Sequence, residues 1–117
     1  MDLTHFIQHI KTSPEEVEFE QVMALIEMYY DFTPTTFMNG ELRNEENQNN
    51  GSCKIFSFAL LNGLSEEETL ACFGAYYRND VLNHPEGDDH QNIRNFMKYG
   101  WQGVQFEAPA LRSKNPE

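Results

Sequence analysis

The sequence predicts a mainly α-helical, single compact domain of about five helices, with room for a short two-stranded β-ribbon. Three observations lead there. Apolar residues recur at three- and four-residue spacing in five separate stretches. Helix-opening signatures precede three of them: Ser13 with Glu16, Ser65 with Glu68, and Asp88 with Gln91. Runs of strand-like alternation are scarce. A chain of 117 residues is long enough to bury one core and too short for two, so residues 1–117 are read as one domain.

Leu3, Phe6, Ile7 and Ile10 line one face of a first helix over residues 2–11. Thr12-Ser13-Pro14 interrupts it, and a second helix is expected from Pro14 to about Tyr30. Acidic residues crowd its dipole-positive end, and Phe19, Val22, Met23, Ile26, Tyr29 and Tyr30 form its buried stripe. Residues 31–51 read as a long polar loop, broken by Pro34 and the turn dipeptide Asn39-Gly40 and ending in the amide-rich string ELRNEENQNN. A loop of that length in a small domain is either functional or disordered. Phe37 and Leu42 are candidates to pin it to the core. After Gly51 or Ser52 a third helix follows, apolar nearly all round and therefore central, ending at Gly63. A fourth is expected from Ser65 to about Leu82, packed through Leu70, Phe73 and Tyr77, and stopped before Pro85. A fifth runs from the Asp88 cap to Gly100, with Ile93, Phe96 and Met97 inward. Trp101, Val104 and Phe106 then offer an extended segment that could pair with residues 35–38, and the tail from about residue 109 is expected to fray.

Nineteen acidic against eight basic residues give a formal charge of −11, and ten of the acids but two of the bases lie in residues 1–50. Such a surface repels phosphates, which argues against nucleic acid or anionic membrane and favours a cationic or protein partner. No apolar run approaches the roughly 18 residues of a membrane span, and the N-terminus has no charged-then-apolar signal pattern. Cys53 and Cys72 fall in different helices and are expected as free thiols. No CxxC, HExxH or zinc-finger spacing is present, so no cofactor and no metal site is assigned.

The sharpest chemical candidate is Cys53, because a thiol in the first turn of a helix beside Lys54 has physical reasons to ionise. Gly51-Ser52-Cys53 followed by Phe56-Ser57 resembles the GSC-x-x-F-S opening of papain-like cysteine proteases. Asn47, however, stands where that family carries a glutamine, and the family's histidine sits on a sheet. A nucleophilic reading takes Cys53 as nucleophile, His90 as base and Asp80 or Asp89 to orient it. A metal reading groups Asp80, His84, Asp88, Asp89 and His90 around a divalent ion, although their spacing matches no ligand motif. Each residue also has an ordinary role: Asp88 as a cap, His84 near a helix end, Asp80 paired with Arg78 or Arg94. Tyr76, Tyr77 and Trp101 are candidates for an aromatic pocket beside the amide loop.

From Phe37 to Phe106 the chain resembles the HopJ type III effector family, and the upstream YYDFTPTTF is similar to it as well. The blocks that carry the resemblance are Asn50-Gly51-Ser52-Cys53-Lys54, Cys72-Phe73-Gly74-x-Tyr76-Tyr77-Arg78, Asp80-Val81-Leu82, Asp89-His90-x-Asn92-Ile93-Arg94 and Gly100-Trp101. The resemblance implies a bacterial protein, cytoplasmic or exported through a type III system without a cleaved signal peptide. It brings no defined activity and hence no catalytic residues. The motif positions coincide with Asn50, Lys54, Arg78, Asp89, Arg94 and Trp101 as binding candidates beside Cys53, Asp80 and His90.

Overall fold

The third helix organises the core. In the computed structural model, which describes residues 2–114, this helix is α3 (Asn50–Leu61), and its Ile55, Phe56, Phe58 and Ala59 are wholly buried. Phe56 is the hub, with its ring centroid 5.0 Å from Phe96, 5.6 Å from Phe73 and 6.2 Å from Phe37. Around it stand α1 (Leu3–Thr12), α2 (Phe19–Tyr29), α4 (Glu66–Ala71) and α5 (Gln91–Tyr99). Asp2 caps α1 by accepting from the His5 N–H, and the Ser65–Glu68 capping box opens α4 with bonds of 2.8 and 3.1 Å.

The mainly α expectation is overturned. Helix accounts for 55% and strand for 13%, with five strands in two small sheets among the described residues, so the fold is α+β rather than helical with one ribbon. Residues 31–51 are not a loop throughout. β1 (Tyr30–Phe32), β2 (Phe37–Asn39) and β3 (Leu42–Asn44) occupy much of the stretch. The Asn39-Gly40 turn folds β3 back on β2, pairing Phe37 with Asn44, and β4 (Val104–Phe106) pairs with the other edge of β2, Phe37 opposite Phe106. The expected pairing of 104–106 with 35–38 thus forms as one side of a three-stranded sheet. Phe37 explains why: it is fully buried and stacked at 5.2 Å on Phe106, which fixes the register. Of the tail expected to fray from about residue 109, residues 111–113 form β5 (Leu111–Ser113), antiparallel to β1, with Ala110 and Leu111 buried beneath, and residues 115–117 lie outside the described residues.

Three helix boundaries also move. Pro14–Glu16 is a short 3₁₀ turn, Ser13 makes no side-chain cap, and α2 starts only at Phe19. Val17, fully buried in an extended conformation, separates the two. The fourth helix stops at Ala71, because at Gly74 the chain turns left-handed (φ +61°) and passes so close to α2 that a Cβ there would lie 2.7 Å from the Phe19 backbone nitrogen. The chain resumes as a π-helical segment, Tyr76–Val81, where the Leu82 N–H reaches back five residues to the Tyr77 carbonyl at 3.0 Å. Finally, α5 begins at Gln91 rather than after an Asp88 cap, with His90 as its left-handed N-cap (φ 50°).

A candidate binding cleft between two helix N-termini

The N-termini of α3 and α5 face one cleft of about 620 Å³. Asn49, Gly51 and Ser52 come from the start of α3, and His90, Gln91, Asn92 and Ile93 from the start of α5. Phe19, Phe73 and Tyr76 supply aromatic wall and Leu42 the β3 side. Both N-cap residues, Asn49 and His90, sit in the left-handed region (φ 54° and 50°), and neither side chain caps its helix. With neither N-cap side chain closing its helix, the first-turn N–H groups of Gly51, Ser52, Gln91 and Asn92 have no intrahelical acceptor.

The π-helical segment sets the other wall. Its widened turn places Tyr76 and Asp80, four residues apart, against the same histidine. His90 Nε2 lies 3.0 Å from Asp80 Oδ2 and 3.8 Å from Asp89 Oδ2, and the Tyr76 ring packs 5.2 Å from the imidazole. Phe19 meets the other side of Tyr76 edge-on at 5.1 Å. Arg94 braces the connector behind His90, donating to the His84 carbonyl at 2.9 Å and to the Asp89 carbonyl and carboxylate, each at 2.6 Å. The guanidinium holds the Asp89 carboxyl below the usual carboxylate range.

Beneath the cleft lies a buried amide network. Asn92 Nδ2 donates to Asn44 Oδ1 (2.9 Å), while Asn39 and Asn44 donate to Asn92 Oδ1 (3.0 and 3.2 Å). Asn49 joins by donating to Asn44 Oδ1 at 2.7 Å, and Asn95 donates to the Asn39 carbonyl at 2.8 Å. Asn39 Oδ1 is the buried side-chain atom left without a partner among the described residues. The network sews the β2–β3 hairpin to α5 and to the start of α3. The asparagine-rich composition of 39–50 was its sequence signal. The partner Asn92, 48 residues from Asn44, was marked in sequence only as part of the Asp89–Arg94 block.

The sequence-derived candidates separate into two groups. Asp80, Asp89, His90 and Arg94 converge at the cleft rim. Cys53 does not join them. It is 1% exposed on the core side of α3, and burial pushes its thiol up to about 11, outweighing the Thr35 backbone hydrogen bond and the Lys54 charge that act in the opposite direction. Lys54 points away, its ammonium 4.9 Å from the centre of the Phe32 ring. Arg78 donates to the Pro14 carbonyl at 3.3 Å and ties the π-helical segment to the 3₁₀ turn, while Trp101 packs edge-on against Phe96 at 4.9 Å. Asn50 is the first residue of α3. Of the aromatic trio, Tyr76 alone lines the cleft; Phe19, Ser52 and Gln91 complete it and were not singled out as site residues by sequence. His84 and Asp88 stay outside the His90 ion pairs, and among the described residues no group of three or more His, Cys, Asp or Glu could hold a metal ion.

Among the described residues no helix is long and apolar enough to cross a membrane. A crystal structure of a protein of unknown function, VPA0580, superposes with a TM-score of 0.96 at 60% identity, covering 97% of this chain and 95% of that one. No curated protein matches. The HopJ type III effector protein family matches residues 3–111, which span β1 to β4, the whole of the cleft and the His90 ion pairs. The chain belongs to the HopJ type III effector protein family.

Proposed function

We propose that this HopJ family protein works by binding a protein partner through the α3–α5 cleft, in the bacterium or after type III export. The observation that carries the reading is the cleft itself, a concave space of about 620 Å³ walled by aromatic rings with polar groups converging at one end, the usual form of a recognition site. Its walls are rigid: Phe73 and Ile93 are buried, and the amide network holds the hairpin side. The acidic surface is compatible with a protein partner and unfavourable to nucleic acid. A Cys53 nucleophile finds no support in the geometry, since the thiol is buried and does not line the cleft with His90.

The reading is tested with a photo-crosslinking residue at Gln91, on the exposed cleft rim, and a control at Glu27 on the exposed face of α2, both expressed in a bacterial host. A discrete adduct from position 91, weakened by Tyr76→Ala and missing from position 27, is the expected result. Equal adducts from both positions, or none from 91, overturn it. Export is tested separately by following the tagged full chain in the supernatants of type III-competent and secretion-deficient strains.

A further inference from the structure

The net charge points to a basic partner, but the cleft is not built for a cation. None of its lining residues is acidic, although the chain carries 19 carboxylate side chains. Two carboxylates at its rim are already paired, Asp80 with His90 at 3.0 Å and Asp89 with Arg94 at 2.6 Å. A lysine or arginine entering the cleft would lose water and meet at the rim only carboxylates already paired with His90 and Arg94, and the polar end would meet it with donors. The rings offer something else. Tyr76, 39% exposed, is held between Phe19 and His90, with Phe73 deeper in the wall. Such an arrangement rewards a flat ring, which packs edge-on or offset against aromatic walls. The first-turn N–H groups of Ser52 and Gln91, which have no intrahelical acceptor, add donors beside that ring site.

We propose that the group the cleft receives is an uncharged aromatic side chain of the protein partner, its ring against Tyr76 and its flanking backbone carbonyls toward the starts of α3 and α5. The inference rests on the cleft being the recognition site, and it specifies what is recognised. Bulk charge then governs long-range encounter, while the cleft selects the residue.

Three single-residue probes separate the alternatives: N-acetyl-phenylalaninamide, N-acetyl-leucinamide and N-acetyl-lysinamide, titrated into the full chain and followed by amide chemical shifts. The phenylalanine probe is expected to bind about tenfold more tightly than the leucine probe, as ring packing adds to area burial. The lysine probe should be the weakest, and the shifts should centre on Gly51, Ser52, Gln91 and Asn92. Tyr76→Ala should lower the phenylalanine affinity about tenfold and leave leucine binding little changed, and the same spectra report whether the variant is folded. Tightest binding by the lysine probe, equal binding by phenylalanine and leucine, no binding by any probe at 10 mM concentrations on the order of fragment affinity, or shifts confined to other faces would overturn the proposal. These outcomes are independent of the crosslinking result. Ring binding without a crosslinked partner defeats the protein-partner reading, whereas a crosslinked partner with lysine preference defeats the ring specificity.

Discussion

Replacing Asn92 by alanine tests whether the amide network holds the cleft together. The Asn92 side chain makes three hydrogen bonds, one donated to Asn44 and two accepted from Asn39 and Asn44. After truncation, Asn39 Nδ2 keeps the Asn92 backbone carbonyl at 2.8 Å and Asn44 Oδ1 keeps Asn49 at 2.7 Å. Asn44 Nδ2 keeps nothing, and Asn44 is fully buried. Two lost but partly compensated bonds contribute about 1 kcal/mol each, and the orphaned donor about 1 to 3 kcal/mol, so the total is about 3 to 5 kcal/mol. That is a large share of the roughly 5 to 15 kcal/mol of a small domain. Urea unfolding followed through Trp101, the sole tryptophan, which packs on Phe96 of α5, measures the loss directly. Asn44→Ala with Asn92→Ala closes a cycle: because the double variant leaves neither side chain to be orphaned by the other, it should lose at least about 1 kcal/mol less than the two single losses summed. A single-variant loss below about 1 kcal/mol, or an additive cycle, would show that the network is decorative and refute the argument.

Phe56→Ala should cost about 3 to 5 kcal/mol, read as a shifted denaturation midpoint, since it removes the ring on which Phe37, Phe73 and Phe96 converge. Gly74→Ala should cost at least about 2 kcal/mol. The left-handed conformation penalises a side chain, and the obstructing atom 2.7 Å from the new Cβ is backbone and cannot rotate away; displacement of Tyr76 and His90 resonances should accompany the loss. Neither cysteine should react with an aromatic disulfide reagent until the protein unfolds, as Cys53 and Cys72 are 1% and 0% exposed. Burial raises the two thiols to about 11 and about 12. The unfolded chain therefore releases these protons first, so the stability they contribute is complete below the ordinary value of 9.0 and is lost as pH rises toward and through the raised values. For Cys53 the loss is roughly 2 kcal/mol, and Cys53→Ala should flatten the stability profile between pH 9 and 11 by that amount; an unchanged profile would contradict the assigned burial.

The periodic parts of the sequence were legible because one helix face follows from spacing alone. The stripe of α1, the all-round apolar character of α3 and the Ser65–Glu68 box appear in the structure where the residues indicate them. What was not legible depends on partners distant in sequence. β1 is three residues long and exists because residues 111–113 return to it, and β2 lies between β3 and β4 only because Phe37 has Phe106 to stack on. Gly74 reads in sequence as a small residue on a helix face, and only the approach of the Phe19 backbone turns it into a helix terminator. The site follows the same division. Asp80, His90 and Arg94 were recognisable as polar chemistry near a turn, but the convergence of α3 and α5 that makes a cleft beside them depends on asparagine pairs about fifty residues apart.

Cys53 shows how a sound local argument can meet a stronger global one. A helix N-terminus and a neighbouring lysine both favour thiolate, but neither replaces the hydration that a thiolate loses when it is buried. Cys53 lies one position beyond Ser52, which lines the cleft, and a step of about 100° around the helix carries its side chain from cleft to core. There desolvation exceeds the Thr35 backbone hydrogen bond and the Lys54 charge together, and Lys54 itself turns toward Phe32. The open end of α3 consequently faces the cleft with backbone N–H groups and the Ser52 side chain, not with a thiolate. That arrangement is the one the proposed recognition through the cleft requires.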